Sequence, residues 1–278
     1  MDANGIWWPE GWTEHELLDS GGGRRLERFG DKVLDRPETG AVWPASGRWK
    51  ADHRYEPTGK TSGKWTPAIP GVWRLHYAPL DLHFALEATR YKHIGVFPEQ
   101  AANWEVLAAT LSPGDRFLNL FAYTGGASLA ARRVGAEVTH VDTIRQVVDW
   151  TRKNMEISGL EGIRWVVDDA AKFVSREARR GNLYSAVMLD PPTWGIGPKG
   201  TKWRLEDALE PLLRDVHAIV EPGGLIILNT YSGLSPATLH TWISRLMSGV
   251  SVEVGELCLR SADGTFMPTG SCARIRKP

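Results

Sequence analysis

Acidic residues follow three successive predicted strands in the C-terminal two-thirds of the chain. Strand-like segments end at Asp142, at Asp168-Asp169 and at Asp190, and helix-like segments with short connections lie between them. This alternation predicts an α/β domain with a mostly parallel sheet. Because ligands of such sheets bind beyond the carboxyl ends of the strands, we predict one loop-lined site at that edge.

Hydrophobic periodicity and turn residues give the element boundaries. Helices are predicted at 99–111, 126–134, 143–157, 170–180, 205–220 and 236–247, and strands at 116–121, 137–141, 163–167, 184–189, 225–231, 252–259 and 272–275. Seven strands of this kind would complete one sheet.

Residues 1–92 differ in composition from the rest of the chain, and their pattern predicts a small antiparallel β domain with long loops. Seven of the thirteen tryptophans lie before residue 80, and Gly- and Pro-rich turns separate short apolar pieces. Residues 72–77 alternate in polarity as a half-buried strand does. Residues 48–64 carry five basic and two acidic side chains, which indicates a solvated loop or, alternatively, an arm that touches a polyanion. The domains are therefore predicted as 1–92 and 93–278.

Bulk composition excludes several classes of protein. Lys+Arg and Asp+Glu both number 33, which is weak evidence against non-specific binding to nucleic acid. No apolar run approaches the ~20 residues that span a bilayer, and the first eleven residues do not resemble a signal peptide. Cys258 and Cys272 have neither the spacing of a metal site nor that of a disulfide framework. We expect a cytoplasmic protein without a membrane or metal partner.

A glycine-containing loop follows the first strand of the α/β domain. It reads Asn119-Leu120-Phe121-Ala122-Tyr123-Thr124-Gly125-Gly126. The paired glycines allow the backbone to approach a ligand and open a helix. The loop matches neither Gly-x-Gly-x-x-Gly nor a Walker loop, so it does not indicate a dinucleotide or a triphosphate.

Asp142, at the end of the next strand, is placed to accept hydrogen bonds from two ribose hydroxyls, each worth about 1.5–3 kcal/mol. Alternatively, it caps a helix that begins at Thr143. The two roles are compatible.

The sequence Asp190-Pro191-Pro192-Thr193 after a strand is the strongest chemical signal. Two prolines remove two backbone donors and stiffen the turn, leaving its carbonyl groups as acceptors. A carboxylate and a carbonyl can hold an amino group with its lone pair directed at a methyl donor, and such positioning supplies several kcal/mol.

Taken together, these motifs resemble class I S-adenosylmethionine-dependent methyltransferases, and more closely the group of bacterial large-subunit ribosomal RNA methyltransferases. The resemblance covers about 91–278 and rests on the following motifs: His93-Ile94-Gly95-Val96-Phe97-Pro98-Glu99-Gln100, Leu118 to Gly125, Val141-Asp142, Asp169-Ala170 and Asp190 to Thr193. It implies a Rossmann-like seven-stranded sheet, preceded here by the β-rich N-terminal domain. The RNA-binding PUA domain of some members is not recognisable.

The resemblance also implies residue roles, with S-adenosylmethionine as cofactor. Phe97, Glu99 and Gln100 would line its methionine end, and Asn119, Tyr123, Thr124 and Gly125 would form the loop around that end. Asp142 with the adjacent Thr143 would hold the ribose, and Asp169 with the backbone of Ala170 would meet the adenine. Asp190, Pro191 and Thr193 would form the methyl-transfer site, and Asp190 would also bind the cofactor, next to its transferable methyl group.

Two features bear on the methyl acceptor. Relatives that methylate cytosine C5 have a nucleophilic Cys after the fifth strand, where this chain reads Leu228-Asn229-Thr230-Tyr231-Ser232-Gly233, so an amino nitrogen is favoured. The segment 193–204 has three basic side chains, two tryptophans and no acid, a pattern typical of base stacking and phosphate contact. It predicts substrate contacts by Trp194, Lys199, Lys202 and Trp203, or alternatively a surface loop whose tryptophans pack onto the domain.

The sequence thus favours methylation of RNA, most simply ribosomal RNA, and leaves three alternatives. A small-molecule methyltransferase would share the cofactor site and agrees with the neutral charge. A non-enzymatic binder is disfavoured by the intact set of Asp142, Asp169 and Asp190. A nicotinamide-dependent oxidoreductase is disfavoured because Gly-x-Gly-x-x-Gly is missing.

Overall fold

The computed structural model describes residues 5–59, 62–196, 202–231 and 233–278. Its chain forms two compact units. The first unit contains the residues up to Trp7, Gln100–Leu257 and Gly270–Pro278, and the second contains Trp8–Glu99 and Cys258–Thr269. The predicted domain boundary at 92/93 stays a prediction about which segment folds by itself.

Seventeen strands and six α-helices are found in the described residues. The strands are β1 (Ile6–Trp7), β2 (His15–Gly21), β3 (Arg24–Phe29), β4 (Lys32–Pro37), β5 (His53–Pro57), β6 (Gly63–Thr66), β7 (Val72–Tyr77), β8 (Leu82–Glu87), β9 (Arg116–Leu120), β10 (Glu137–Asp142), β11 (Arg164–Val167), β12 (Tyr184–Leu189), β13 (Trp194–Ile196), β14 (Lys202–Arg204), β15 (Val220–Thr230), β16 (Ser251–Arg260) and β17 (Phe266–Arg276). The helices are α1 (Ala101–Thr110), α2 (Gly126–Arg133), α3 (Arg145–Ile157), α4 (Ala170–Arg180), α5 (Leu205–Ile219) and α6 (Pro236–Leu246).

The first unit is built on an eight-stranded sheet in the order β1-β16-β17-β15-β12-β9-β10-β11. The strands β11, β10, β9, β12 and β15 pair in parallel, and β17 pairs antiparallel with β15. This confirms the predicted α/β class with its mostly parallel sheet. The eighth strand, β1, adds to β16 at the edge. A strand of two residues is too short to show any periodicity in the sequence.

The central strands are almost continuously apolar because helices cover parallel sheets on both faces. In β12, five of six residues are buried. Asp169 caps the start of α4 through its side chain, which accepts from the Lys172 amide, and Gly181 in the left-handed conformation caps its end. The predicted bounds of α4 and β12 agree with the structure, and most other predicted bounds agree to within a few residues.

The second unit contains a five-stranded sheet in the order β2-β3-β4-β5-β6 and the separate hairpin β7–β8. The prediction of a small antiparallel region was wrong at one pair of strands, since β4 and β5 run parallel. The fifteen residues between these strands are long enough for the crossover that a parallel pair needs.

An ionic cluster lies inside this unit around Glu27, which is fully buried. The Glu27 carboxylate accepts from Arg36 Nε at 3.0 Å and lies 3.2 Å from His15 Nε2. The guanidinium groups of Arg25 and Arg36 hold the pKa of Glu27 far below its usual range against the effect of burial.

Among the described residues, every helix is too short or too polar to cross a bilayer.

Candidate methyl-transfer site

The carboxyl ends of β9, β10, β12 and β15 lie at one edge of the first unit's sheet, because these strands run parallel in register. The residues that follow them are the loop 121–125, Thr143, Asp190 and Tyr231. Asp190 directly follows Leu189, which is paired with Leu120 on one side and Leu228 on the other. The structure therefore groups Asp142, Asp190 and the glycine loop along one edge, as the sequence predicts.

The loop 121–125 has an unusual backbone. Phe121 and Tyr123 have positive φ angles of 53° and 47°, which are uncommon for residues with a side chain and concentrate at functional sites. Two side chains of α3 support this backbone. Thr151 Oγ1 donates to the Tyr123 carbonyl at 2.9 Å, and Asn154 Nδ2 donates to the Thr124 carbonyl at 3.0 Å.

Gly125 cannot carry a side chain without movement of its neighbours. Its φ is 87°, and an added Cβ would lie 2.1 Å from Thr151 Cγ2. The same holds for Gly126, where an added Cβ would lie 2.2 Å from Trp104 Cζ2. The paired glycines thus allow α1 and α3 to pack against the start of α2.

Asn119, also predicted to contact the cofactor, is buried, and its amide donates to Ser128 Oγ at 2.9 Å. Ser128 Oγ in turn lies 3.0 Å from His140 Nδ1. Burial lowers the pKa of His140 to about 3, so this imidazole is neutral. The contact joins β9, α2 and β10 below the loop.

Asp142 is half-buried and fixes the loop from below. Its Oδ2 accepts from the Tyr123 amide at 3.0 Å, and its Oδ1 accepts from the Ile144 amide at 2.9 Å. Burial raises its pKa, and no cation of the described residues pairs with it. The predicted helix start at Thr143 was wrong: α3 begins at Arg145, because Asp142 binds the amide two residues on and forms a turn there.

The acids after β11 have separate roles. Asp169 Oδ1 accepts from the Lys172 amide at 3.0 Å as the cap of α4, and Ala170 is the buried first residue of that helix. Asp168 forms an ion pair with Arg176. An adenine contact by Asp169 and Ala170 stays a prediction.

Asp190 is held by neutral amides. Asn229 Nδ2 lies 3.2 Å from its Oδ1, and Gln100 Nε2 lies 3.4 Å from its Oδ2. Gln100 Nε2 also donates to the Tyr231 hydroxyl at 3.0 Å. Two polar side chains at the end of β15 thus join the site, Asn229 and Tyr231, which in the sequence stand out only as positions without Cys. A polar Asn229 inside the apolar run of β15 was the signal that could have found them.

A second layer lies behind Gln100. Gln100 Oε1 accepts from Asn103 Nδ2 at 3.0 Å, and Asn103 Oδ1 accepts from the Arg274 guanidinium at 3.0 Å. Arg274 itself lies over the Trp7 ring, 4.0 Å from its centroid. This layer fixes the Gln100 amide so that its NH₂ group points at Asp190 and Tyr231.

The segment after Asp190 forms a small antiparallel pair, β13 with β14. Trp203 Nε1 donates to the Pro192 carbonyl at 2.7 Å, and its ring lies 5.0 Å from that of Phe121. Trp203 therefore packs onto the domain, whereas 55% of Trp194 is exposed. Pro191 is buried, and Thr193 and Lys202 are exposed. Lys199 lies outside the described residues.

A family model for S-adenosylmethionine-dependent methyltransferases matches residues 25–241. The chain belongs to this family. The crystal structure of the SAM-dependent methyltransferase from Agrobacterium tumefaciens is similar over 100% of this chain and 95% of that one, with a TM-score of 0.92 and 34% identity. A methyltransferase solved as a complex with SAH shares the fold at 18% identity, with a TM-score of 0.74 over 96% of this chain and 76% of that one.

Two curated relatives are ribosomal RNA enzymes by name. The ribosomal RNA large subunit methyltransferase K/L of Methylococcus capsulatus is 28% identical over 204 residues, which are 72% of this chain and 26% of that protein. The ribosomal RNA large subunit methyltransferase I of Aeromonas hydrophila subsp. hydrophila is 30% identical over 189 residues, 63% of this chain and 46% of that protein. The methyltransferase thus spans less than half the length of both relatives.

The site fits the family's cofactor, S-adenosylmethionine. Asp142 is a half-buried carboxylate whose two oxygens accept from the Tyr123 and Ile144 amides. Each carboxylate oxygen can accept a further hydrogen bond, and the two hydroxyls of a ribose diol are donors of that kind. In the second unit, Glu99 is 2% exposed and its Oε2 has no hydrogen-bond partner among the described residues. Burial raises the pKa of Glu99. The contact of Glu99 with the methionine end of the cofactor stays a prediction.

Phe97, the other predicted cofactor residue of the second unit, lies with its ring 4.9 Å from that of His93. Its contact with the methionine end of the cofactor stays a prediction.

The two cysteines of the methyltransferase are both buried. Cys272 Sγ lies 3.6 Å from Asn103 Oδ1, and burial raises the pKa of its thiol to about 12. Cys258 is 1% exposed. A thiol that stays protonated at neutral pH is a poor nucleophile.

The second unit also contains a cleft of about 480 Å³, lined in part by Trp8, Trp12, Arg28 and Arg260. Glu10 and Glu16 line it as well. The two arginines and two acids balance in charge, so the cleft by itself does not indicate a polyanion.

Proposed function

We propose that the enzyme methylates an exocyclic amino nitrogen of a base in ribosomal RNA. The observation that carries the proposal is the setting of Asp190: a carboxylate held by two neutral amides at the strand edge and followed by two prolines. A carboxylate oxygen can accept more than one hydrogen bond, so the two amides do not exclude a substrate amine as a further donor to Asp190. The names of the curated relatives support RNA as the substrate class.

The proposed roles follow from this setting. Asp190 and the Pro191 carbonyl accept the two N–H groups of the amine, which directs its lone pair. When bound, S-adenosylmethionine would supply the methyl group from its sulfonium sulfur, with cleavage of that carbon–sulfur bond, and the amine nitrogen would be the nucleophile that receives it. Asp190 orients the amine and is too weak a base to deprotonate it beforehand. The nitrogen releases its proton to water afterwards.

The cofactor would be held by the loop with Asn119, Tyr123, Thr124 and Gly125, with Asp142 and Thr143 at the ribose. Asp169 and Ala170 would meet the adenine, and Phe97, Glu99 and Gln100 would meet the methionine end. The positioning residues for Asp190 would be Asn229 and Gln100.

Substrate contacts are proposed for the segment beyond Asp190. The exposed ring of Trp194 is the stacking surface, and Lys202 and Lys199 are the phosphate partners. Thr193 would contact the target base, whereas Trp203 supports the loop through Pro192. An enzyme that acts on ribosomal RNA would work in the cytoplasm.

Nitrogen is favoured over carbon as the methyl acceptor because C5 methylation needs a cysteine thiolate. The raised pKa of Cys272 and the burial of Cys258 leave the methyltransferase without one.

A methyl-transfer assay tests the proposal. The enzyme is incubated with tritiated S-adenosylmethionine and, separately, with ribosomal RNA from cells that lack it and with a small-molecule extract. We expect label in the RNA, in an N-methylated nucleoside identified by mass spectrometry. Label only in the small-molecule fraction would identify a small-molecule methyltransferase, and a C5-methylated pyrimidine would contradict the assigned mechanism.

A further inference from the structure

The hairpin β7–β8 of the second unit places two histidines opposite each other. His76 and His83 are register partners, so both side chains project from the same face of the hairpin. Their rings stack with centroids 4.3 Å apart and planes 10° apart. The two side chains are each 32% exposed.

Asp81 lies in the turn between the two histidines. It has φ 47° and ψ 50°, the left-handed conformation, just after the 3-10 helix Ala78–Leu80. Its Oδ1 lies 3.2 Å from His76 Nε2 and 3.6 Å from His83 Nε2. One nitrogen or oxygen from each of the three side chains lies within 4.8 Å of the other two.

The two histidine–carboxylate distances are close to those within a metal site, and the two histidine nitrogens lie within 4.8 Å of each other. Bonds of about 2.0–2.2 Å in tetrahedral geometry place ligand atoms roughly 3.3–3.6 Å apart. Two imidazole nitrogens and one carboxylate oxygen form a ligand set that zinc uses in open sites, with water in the fourth position. Hard cations such as Mg²⁺ prefer oxygen ligands and fit this set poorly.

We propose that His76, Asp81 and His83 bind a divalent transition-metal ion such as Zn²⁺. The ion would join the two strands of the hairpin at its turn, and its role would be to stabilise the second unit. The site is independent of the methyl-transfer chemistry proposed above. The three residues lie within eight positions of the sequence, a spacing that a search for cysteine-based motifs does not detect.

The test uses the full chain without a polyhistidine tag, treated with a chelator and then exchanged into metal-free buffer. Zn²⁺ is titrated in competition with a chromophoric chelator, and Co²⁺ provides a visible spectrum. We expect one equivalent to bind with a micromolar dissociation constant and cobalt to show the absorption of a four-coordinate site. Binding should weaken in acid, because the ligands must be deprotonated to hold the ion.

Variants identify the ligands. We expect Asp81→Asn and His83→Gln each to weaken binding at least tenfold and His76→Ala/His83→Ala to abolish it. His240→Ala, an exposed histidine of α6, should bind as the wild type does. At a hundredfold excess over the dissociation constant, Zn²⁺ should raise the melting temperature of the wild type by about 5 °C or more and leave the double variant unchanged.

Three results would overturn the proposal: uptake well below one equivalent, equal Zn²⁺ binding by the double variant, or equal stabilisation by Mg²⁺. Circular dichroism of each variant at 20 °C, compared with wild type, separates loss of the site from loss of the fold.

Discussion

At the scale of single residues, Asp190 is held in a defined orientation, since the Asn229 amide binds one of its oxygens and the Gln100 amide binds the other. Replacing Asp190 with Asn keeps its size but puts an NH₂ group in place of one acceptor. We expect turnover to fall at least about 100-fold, because the substrate amine would no longer be held in the orientation that methyl transfer requires. Affinity for S-adenosylmethionine, measured by calorimetry, should change less than about threefold.

The matched control is Asp149→Asn, an exposed acid on α3, which should keep normal turnover. Unchanged turnover of Asp190→Asn would remove Asp190 from the mechanism.

Asp142 is expected to act on cofactor affinity. The Asp142→Asn variant retains one acceptor oxygen but loses the charge that strengthens hydrogen bonds from hydroxyl groups. With about 1.5–3 kcal/mol for each charge-assisted bond, the dissociation constant for S-adenosylmethionine should rise roughly 10- to 100-fold. Calorimetry measures it directly, and an affinity equal to that of Asp149→Asn would refute the ribose contact.

His140 gives a pH dependence of stability. Its pKa in the folded protein is about 3, because burial disfavours the charged form, against about 6.5 when unfolded. As the pH falls below about 6.5, His140 takes up a proton in the unfolded state but not in the folded state. Protonation therefore stabilises the unfolded state, and the free energy of unfolding decreases. Between pH 6.5 and 4.5 the loss from His140 should be about 2 kcal/mol.

Urea denaturation of wild type and His140→Gln at both pH values checks this. Glutamine can still bind Ser128, and the variant should lose about 2 kcal/mol less than the wild type over the same range. An equal loss in both proteins would show that His140 does not titrate as described.

At the scale of elements, the packing of α3 against the glycine loop is specific enough to be tested by a double substitution. Gly125→Ala introduces a Cβ beside Thr151 Cγ2 and places alanine at a positive φ. We expect a loss of about 2–4 kcal/mol, of which roughly 1–2 kcal/mol comes from the backbone conformation and the rest from the contact.

Adding Thr151→Ser removes Cγ2 but keeps the hydroxyl that donates to Tyr123. In the double variant, we expect chemical denaturation to show that the part of the unfolding free energy lost to the Cβ–Cγ2 contact is recovered. The part lost to the positive φ of an alanine should remain. A purely additive double variant would indicate that Thr151 is not the obstacle.

The elements also show what the sequence could and could not predict. Periodicity and capping residues predict α4 and β12 closely because Asp169, Gly181 and the apolar run of β12 are local signals. The sequence also places Asp142 and Asp190 at one edge, since strand direction follows from the helix between strands. The polar Asn229 in the apolar run of β15 was a local signal, but its partner Asp190 lies 39 residues away. The contact of Tyr231 with Gln100 joins residues 131 apart and had no local signal of its own.

At the scale of the whole molecule, the second unit takes part of its core from the end of the chain. Leu17 packs with Leu259 and Met267 in one buried cluster, and Leu17 bridges to Ser261. A fragment of residues 1–92 lacks these partners. We expect it to show poorly dispersed amide resonances and no cooperative unfolding, and a well-folded fragment would instead support the boundary at 92/93.

The chain crosses between the two units three times after Trp8, and β16 and β17 each belong partly to both. During synthesis, residues 8–99 leave the ribosome long before residues 258–269 exist to complete their core. At about 5–20 residues per second, that interval is on the order of ten seconds. The N-terminal segment must therefore stay soluble while incomplete, which makes its nascent form the stage at which chaperones would act on this enzyme.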